Sequence, residues 1–388
     1  MVDAEKILRN TLDKELDEHG YIPRDVKIDP ISSGGANYTS KLFLVDVTTP
    51  KEQLKLFAKV AIINKELRQT MCADWLFKTE RIVFTKIAKV FDRLQTRYNI
   101  PEDEKLRFPK FYGCSDEQGK EVVLMENLMA SGYQSFDRFK SMDWEHACAS
   151  VEYLAKFHAL SFAYAKDYPE EFEELANMKY EIGAQELDEE VMKPMMEKII
   201  GGALAVVKED QRDRLMKYFN TMPKMNAYTI SDGRPVLSHG DFRLSNILFR
   251  KSEDKLSAIA VDFQTVYAGR PPTDLIYLIF LGSDVEFRAE YYEKLIAFYY
   301  DSLCAMMRKY SLEPTEVYPK ENFDSDMKET LPYAVLLGTA VLPTVLVEEN
   351  TAPDPEKQSF DQFIRSPTEI YAKRFSGIVD DCIRWNVI

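Results

Sequence analysis

The stretch VLSHGDFRLSNILF, residues 236–249, places two polar functional groups between apolar runs. His239-Gly240-Asp241 follows the first apolar run, and Asn246 comes five positions after Asp241, just before the second run. One interpretation is structural, because Asp and Asn side chains often cap turns and satisfy backbone groups. The other interpretation is that the carboxylate and the amide form a chemical site, and the surrounding sequence helps to decide between the two.

The sequence that follows predicts a β-hairpin. In SNILFRKSEDKLSAIAVDFQ, residues 245–264, two apolar runs flank the polar turn RKSEDK. Because the outer ends of two antiparallel strands lie close together, we expect Asn246 and Asp262 to be neighbours. An amide oxygen beside a carboxylate suits Mg²⁺, which takes few protein ligands and keeps most of its water. The hairpin therefore predicts a Mg²⁺ site at Asn246 and Asp262, with Asp241 nearby to accept a proton or orient a hydroxyl.

This division of roles is what phosphoryl transfer requires, since metal charge and a positioned acceptor do most of the work. Protein kinases carry H-R-D, four residues, N, and later D-F-G. This chain carries H-G-D, four residues, N, and later D-F-Q. The likeness favours the chemical interpretation of Asp241, Asn246 and Asp262. No G-x-S-x-G motif supports a hydrolytic triad.

The first third of the chain supplies a candidate cation for ATP phosphates. The segment QLKLFAKVAI, residues 53–62, is typical of a β-strand, and Lys59 lies near its end. From Glu66 to about Leu94, apolar residues recur at helical spacing and predict a long helix. Glu80 on that helix is the expected partner of Lys59, although a glutamate on a solvated helix face is the alternative. Glu66 is a weaker candidate partner, and Lys55 is the competing lysine.

A glycine turn precedes this run. In ISSGGANYTSKLFLVDV, residues 31–47, a strand, a turn and a second strand are predicted. Backbone amides at Gly34 and Gly35 can approach phosphates, with Asn37 in the same turn and a hydroxyl from Ser33 or Ser40. Such a turn by itself usually indicates only a hairpin. No G-x-x-x-x-G-K-[ST] motif occurs, which excludes a P-loop enzyme.

Composition sets the wider limits. The 388 residues are enough for two lobes, and the net charge of −14 argues against a nucleic-acid binder. Five scattered cysteines and an acidic, amphipathic N-terminus indicate a cytoplasmic protein with reduced thiols and no secretory signal. The most apolar run, Tyr333 to Val347, is 15 residues long, too short for a membrane span, and predicts a buried helix.

We therefore expect an α+β fold with a small β-rich N-terminal lobe, residues 1–128, and a large helical lobe, residues 129–388. A junction near 125–134 would form a cleft between them. Asp143 is the predicted N-cap of a long helix on which His158 is expected to be a satisfied core histidine. Later helices are predicted around 186–200, 208–221, 284–311 and 325–349.

These motifs resemble a known family. HGDFRLSN with VDFQTVYAGRPPTDLIYL is similar to the ecdysteroid kinase-like (CHK kinase-like) family, within the aminoglycoside phosphotransferase/choline kinase group. SGGANYTSKLF, LFAKV, TERIVF, LMENL and LAKFHALSFA fall in the family's order, so the resemblance covers nearly the whole chain.

The resemblance implies a bilobal, protein-kinase-like fold and ATP-dependent phosphorylation of a small-molecule hydroxyl. It assigns Asp241 as catalytic base, Asn246 and Asp262 as Mg²⁺ ligands, and Lys59 with Glu80 as the phosphate-binding pair. The resemblance also implies that the hinge from Met125 to Leu128 contacts adenine, chiefly at Glu126 and Leu128. His239 and Asp274 would support the catalytic loop.

Two positions depart from the family pattern and leave the acceptor open. Arg243 stands where the family usually has Trp, which makes it a candidate contact for the acceptor, and Asn127 replaces the usual hinge Asp. The leading hypothesis is a Mg-ATP-dependent kinase acting on an ecdysteroid or a similar apolar or xenobiotic alcohol. The alternatives are a choline- or aminoglycoside-type kinase with a cationic acceptor, and a catalytically silent kinase-like binding protein. No nucleic-acid partner and no membrane span are expected.

Overall fold

A five-stranded antiparallel sheet forms the N-terminal lobe of the computed structural model. The structure describes residues 3–32, 39–61, 68–69, 71–178, 189–222, 226–229, 231, 233, 235–253, 255–348 and 366–388. The strands are β1 (Asp25–Ile31), β2 (Ser40–Thr48), β3 (Gln53–Ala61), β4 (Phe111–Ser115) and β5 (Val122–Glu126), in the spatial order β1-β2-β3-β5-β4. Two strands, β1 and β2, flank the predicted glycine turn, although the turn at 33–38 lies outside the described residues. The strand pair around Gln118-Gly119 is confirmed.

Helix α1 (Ala4–Glu18) covers one face of this sheet. Its N-cap is Asp3, whose carboxylate accepts the backbone N–H of Lys6. The apolar stripe of Ile7, Leu8, Leu12 and Leu16 is buried against alternate residues of the strands. The N-terminal lobe therefore has a small core of its own, which fixes the strands that carry Lys59.

Of the helix expected from Glu66 to about Leu94, the structure shows the part from Ala73, and it continues to Arg97. The structure shows α2 (Ala73–Ile82), a π-helical turn at Val83–Ile87, and α3 (Ala88–Arg97). Cys72, with φ of 49°, adopts left-handed backbone geometry and immediately precedes the helix that carries Glu80. Glu66 lies outside the described residues. The π turn adds one residue to the helical path, and such turns are frequent beside functional sites.

The helical lobe begins with α4 (Trp144–Asp167), whose N-cap is Asp143 as predicted. Further helices are α5 (Pro169–Ala176), α6 (Glu189–Val206), α7 (Glu209–Thr221), α8 (Asn226–Thr229), α9 (Pro272–Gly282), α10 (Val285–Lys309), α11 (Pro314–Val317), α12 (Lys320–Thr330), α13 (Tyr333–Ala340), α14 (Leu342–Val345) and α15 (Glu369–Arg384). The helices expected around 186–200, 208–221 and 284–311 are thus confirmed.

The single helix expected over 325–349 was wrong, because three short helices, α12 to α14, occupy that stretch. Pro332 and Pro343 lie at the starts of α13 and α14, where a proline lacks the N–H that a continuous helix would need. The apolar run from Tyr333 is buried nonetheless. None of the helices in the described ranges is long and apolar enough to cross a membrane.

The predicted hairpin is present in the helical lobe. Short strands β6 (Gln134–Ser135) and β7 (Val236–Ser238) precede the antiparallel pair β8 (Ile247–Ser252) and β9 (Lys255–Ala260), and β10 (Tyr267–Gly269) pairs with β7. The large core extends from α2 and α3 of the first lobe into the second lobe, where Phe263 packs edge-on against Phe84. This continuous core holds the two lobes together around the residues of the site and confirms the predicted α+β, two-lobed architecture.

Candidate active site

Lys59 lies where the two lobes meet. It belongs to β3, and its side chain points into the protein, with only 9% of it exposed. The ammonium contacts Glu80 of α2 at 2.8 Å and Asp262 of the helical lobe at 2.5 Å. The expected partner Glu80 is therefore in place, and Lys55 instead pairs with Asp46 at the surface. Lys59 of the sheet therefore contacts both a carboxylate of the N-terminal lobe, Glu80, and a carboxylate of the helical lobe, Asp262.

Burial and charge act in opposite directions on this trio. Desolvation disfavours the Lys59 ammonium, but the carboxylates of Asp262 and Glu80 outweigh it and raise the pKa of Lys59. Burial also opposes ionisation of Asp262, yet the adjacent Lys59 lowers the pKa of that carboxyl. The pKa of Glu80, by contrast, is raised by its own burial. We conclude that Lys59 and Asp262 form a charged pair at neutral pH.

Asp274 holds the backbone of the HGD segment. It stands in the first turn of α9 and is fully buried. Its carboxylate accepts the backbone N–H of His239 at 2.6 Å and that of Gly240 at 2.9 Å. The ring of His158 lies between the same carboxylate and the hydroxyl of Tyr299, at 3.2 and 2.6 Å. His158 is thus a satisfied core histidine, and it also orients the aspartate that fixes the loop.

His239 is locked in one neutral tautomer by its contacts. Its Nε2 lies 3.1 Å from the carbonyl of Val261, to which it donates. Nδ1 in turn accepts the backbone N–H of Asp241 at 3.3 Å. Burial lowers the pKa of His239, in agreement with a ring that is neutral in the folded protein. The imidazole therefore connects the Asp241 turn to the strand end that carries Asp262.

Three side chains surround the carboxylate of Asp241. The amide of Asn246 donates to Oδ2 at 2.8 Å, and Arg243 Nε lies 3.0 Å from Oδ1. The buried side chain of Tyr277 is close enough to feel the same carboxylate: its pKa is raised well above the ordinary value by burial and then by the charge of Asp241. The candidate base is consequently held in a defined orientation.

Arg243, the candidate contact for the acceptor, lies beside the predicted base. Its guanidinium lies on the Asp241 carboxylate, and 9% of its side chain is exposed. It also contributes to the lowered pKa of Asp262. Arg243 is therefore a cation close to both carboxylates, and a role in acceptor binding stays a prediction.

Asn246 and Asp262 lie at adjoining ends of the hairpin, as its antiparallel pairing predicts. The backbone N–H of Val261 donates to the carbonyl of Asn246 at 2.9 Å, and Ile247 pairs with Ala260. Asp262 has left-handed backbone geometry, with φ of 67°. The amide nitrogen of Asn246 bonds to Asp241, which leaves the amide oxygen as the atom for a cation.

This donor set fits Mg²⁺ better than a transition metal. In the described residues no three His, Cys, Asp or Glu side chains form a metal-binding group. An amide oxygen and a carboxylate are hard ligands, and Mg²⁺ is commonly held by one or two carboxylates plus phosphate oxygens. The carboxylate of Asp262 also forms an ion pair with the ammonium of Lys59, so part of its negative charge is already balanced.

The segment expected to contact adenine is a tight turn at the end of β5. The carboxylate of Glu126 accepts the backbone N–H of Lys110 at 3.3 Å and the hydroxyl of Ser131 at 2.8 Å. Asn127 Oδ1 accepts the backbone N–H of Met129 at 3.1 Å, so Asn127 stabilises the turn much as an Asp would. Leu128 is buried. The backbone N–H of Glu126 also donates to the carbonyl of Lys110, at 2.8 Å. Adenine contact by Glu126 and Leu128 stays a prediction.

The predicted phosphate-binding turn is only partly described. Gly34, Gly35 and Asn37 lie outside the described residues, as does Ser33. Ser40 begins β2, pairs with Ala61 and is nearly buried. Binding of phosphate by this turn therefore stays a prediction.

Sequence reasoning missed Tyr277 and Thr265. Tyr277 follows Asp274 by three residues on α9, so both side chains lie on one helix face, a spacing that could have drawn attention to it. Thr265 donates its hydroxyl to the carbonyl of His239 at 2.9 Å. No sequence pattern marks Thr265, because its role arises from the close approach of two loops.

The sequence model of the ecdysteroid kinase-like family matches residues 34–312. No match is found among curated proteins. Among solved structures, the chain is similar to a GDP complex of an aminoglycoside 2'-phosphotransferase-IIIa variant, at 12% identity and a TM-score of 0.46, covering 97% of both chains. An ethanolamine kinase of Plasmodium vivax is similar at 11% identity and a TM-score of 0.40, covering 97% of this chain and 86% of that one. A microcompartment-associated aminopropanol kinase is similar at 10% identity and a TM-score of 0.40, covering 97% and 98%.

Proposed function

Because the chain belongs to the ecdysteroid kinase-like family, whose fold is bilobal and protein-kinase-like, we propose that it phosphorylates a small molecule. The proposed reaction moves the γ-phosphate of Mg-ATP to a hydroxyl of an alcohol acceptor. The observation that carries this proposal is the contact of Lys59 with both Glu80 and Asp262. A buried cation that joins the two lobes at their cleft has the position needed to bind nucleotide phosphates.

In this proposal Asp241 orients the acceptor hydroxyl and accepts its proton. Asn246 and Arg243 hold the carboxylate in place, so that little reorganisation is needed when the hydroxyl arrives. Asn246 and Asp262 would hold Mg²⁺, which supplies positive charge to the phosphate oxygens when bound. Lys59 would contribute a second positive charge on the nucleotide side, and Arg243 a third beside Asp241.

We propose an apolar alcohol, such as an ecdysteroid, rather than a cationic acceptor. Arg243 places a positive charge 3.0 Å from the Asp241 carboxylate, and a second cation in the same place would be repelled. Aromatic side chains lie near the base as well: Tyr277 and Tyr333 are both close enough to feel its charge, and Tyr333 stacks on Tyr228 at 5.9 Å. Such rings favour a flat apolar ligand.

The decisive experiment compares the wild-type protein with Asp241→Asn in an acceptor screen. Steroid alcohols and amino alcohols are offered with Mg-ATP, and mass spectrometry records any added phosphate. Loss of a general base lowers turnover by about 10²–10⁴-fold, so Asp241→Asn should be nearly inactive while it still binds ATP. Asp213→Asn, at an exposed position of α7, is the matched control and should react like wild type.

Each outcome is informative. Native turnover by Asp241→Asn would show that the assigned base is wrong. Phosphorylation of amino alcohols in preference to steroids would favour the cationic acceptor. If calorimetry detects no Mg-ATP binding to the wild-type protein, the chain is instead a catalytically silent binding protein.

A further inference from the structure

A second cleft of the molecule has more cations than carboxylates in its lining, although the whole chain is acidic. It is a cavity of about 560 Å³ between α4, the segment 102–107 and the β8–β9 hairpin. Its positively charged lining residues are Lys105, Arg107, Lys156, Arg250 and Lys255. We call this cavity the basic cleft. It contains no residue of the trio around Lys59 and none of the HGD segment, and its volume is that of a small-molecule site.

Carboxylates neutralise only part of this charge. The acidic lining residues are Glu102, Asp103 and Glu152, which leaves an excess of two positive charges. Glu102 pairs with Lys105 at 2.7 Å and with Arg107 at 3.4 Å. Two of the five cations thus share one carboxylate, on one side of the cleft.

Arg250 is fixed without an ionic partner among the described residues. Its guanidinium lies over the ring of Tyr133, 4.7 Å from the ring centre, and donates to the carbonyl of Ser131 at 3.4 Å. Its Nε is buried and has no hydrogen-bond partner in the described part of the chain. An arginine oriented by a ring beneath it keeps its other donors directed for a ligand.

Lys156 carries the strongest indication of a ligand. It lies on α4, partly buried, and it makes no ion pair or hydrogen bond within the described ranges. Desolvation lowers the pKa of Lys156, and the charge of Lys255 lowers it further. Glu152 and Glu104 act in the opposite direction, while Lys309 adds to the repulsion. A half-buried ammonium that shares a cavity with a second ammonium costs stability, and no ion pair or hydrogen bond among the described residues offsets this cost.

We propose that the basic cleft binds a small, multiply charged anion of the phosphate class, contacted by Lys156 and Lys255 on one side and by Arg250 on the other. Separated cations around one cavity suit a ligand with several charged oxygens better than a single carboxylate. The inference is independent of the proposed kinase activity, because none of these residues belongs to the catalytic site. It adds a second ligand site to the protein.

Calorimetry with inorganic pyrophosphate tests the proposal on the full chain, at low ionic strength and without divalent metal. Lys156→Met keeps the aliphatic stem and removes the charge, so the fold should be retained. Its affinity for pyrophosphate should fall by about tenfold or more, since a hydrogen bond to a charged group is lost. Lys217→Met, at an exposed position of α7, is the matched control and should bind as wild type does. Lys255→Met provides a second variant at the edge of the cleft.

A stability measurement separates ligand binding from a structural effect. Without the anion, Lys156→Met should melt at the same temperature as wild type or higher, because an unpaired, desolvated charge is removed. With pyrophosphate, only wild type and Lys217→Met should gain melting temperature. The proposal is overturned if wild type does not bind pyrophosphate, or if Lys156→Met binds it as tightly as wild type does.

Discussion

Replacing Asp274 by Asn should loosen the HGD segment without changing the size of the side chain. The carboxylate of Asp274 is fully buried and serves three donors: the backbone N–H groups of His239 and Gly240, and the ring of His158. An amide offers one oxygen and one NH₂ group, so at least one of these donors would face another donor.

The size of the effect follows from these contacts. An unpaired buried donor costs about 1–3 kcal/mol, and the bonds that survive lose the assistance of the charge. We expect Asp274→Asn to lower the free energy of unfolding by about 2–4 kcal/mol. At roughly 2.1 cal/mol/K of unfolding entropy per residue, a chain of 388 residues would melt about 2–5 °C lower.

Thermal unfolding and hydrogen exchange together measure this. The amides in peptides covering 236–246 should exchange faster in Asp274→Asn, since His239 and Gly240 lose their acceptor. Asp284→Asn is the matched control, because Asp284 caps α10 and Asn caps a helix about equally well. If Asp274→Asn melts within 1 °C of wild type with unchanged exchange at 236–246, the assignment of Asp274 as the anchor of the loop is wrong.

Two further predictions concern the same segment. Gly240→Ala should lower the free energy of unfolding in denaturant by at least about 2 kcal/mol, because the φ of Gly240 is +80° and a Cβ would lie 2.3 Å from the carbonyl oxygen of Thr265. Gly119→Ala is the control, since Gly119 has the same φ but open space around it, so this variant measures the backbone cost alone. Equal losses of stability in the two variants would contradict the steric argument. The free energy of unfolding should also fall as the pH decreases below about 6.5, by at most ~1.4 kcal/mol per pH unit. The reason is that burial lowers the pKa of His239 in the folded protein, so the histidine of the unfolded chain binds a proton at a higher pH. Equal stability at pH 7.5 and pH 5.5 would refute this prediction.

Much of the fold was predictable because its signals are local. The β-type runs within 31–47 and 53–62 predicted β2 and β3, and a capping Asp predicted the start of α4. The prediction of one helix over 325–349 was wrong because it gave more weight to the hydrophobicity of the segment than to Pro332 and Pro343. In the structure the helix is interrupted at these prolines, which have no backbone N–H to donate.

The candidate site was predictable to a similar extent. The proximity of Asn246 and Asp262 could be predicted from the hairpin alone, because antiparallel pairing determines which residues lie opposite each other. The position of Arg243 against Asp241 could not be foreseen, because the direction of a long side chain depends on its packing. The lobe boundary near 125–134 and the roles of the site residues stay predictions.

By itself, the sequence determined which chemical groups the protein has and the order in which they follow each other. HGDFRLSN and VDFQ specify a carboxylate, an amide and a second carboxylate around a turn, and local propensity places them at the ends of a hairpin. Only the tertiary structure brought Lys59 within 2.5 Å of Asp262, which is 203 residues away, and set the Asp274 carboxylate beneath the HGD backbone. Such contacts depend on the packing of a core that spans both lobes, and no short-range pattern encodes the distance between two atoms so far apart in the chain.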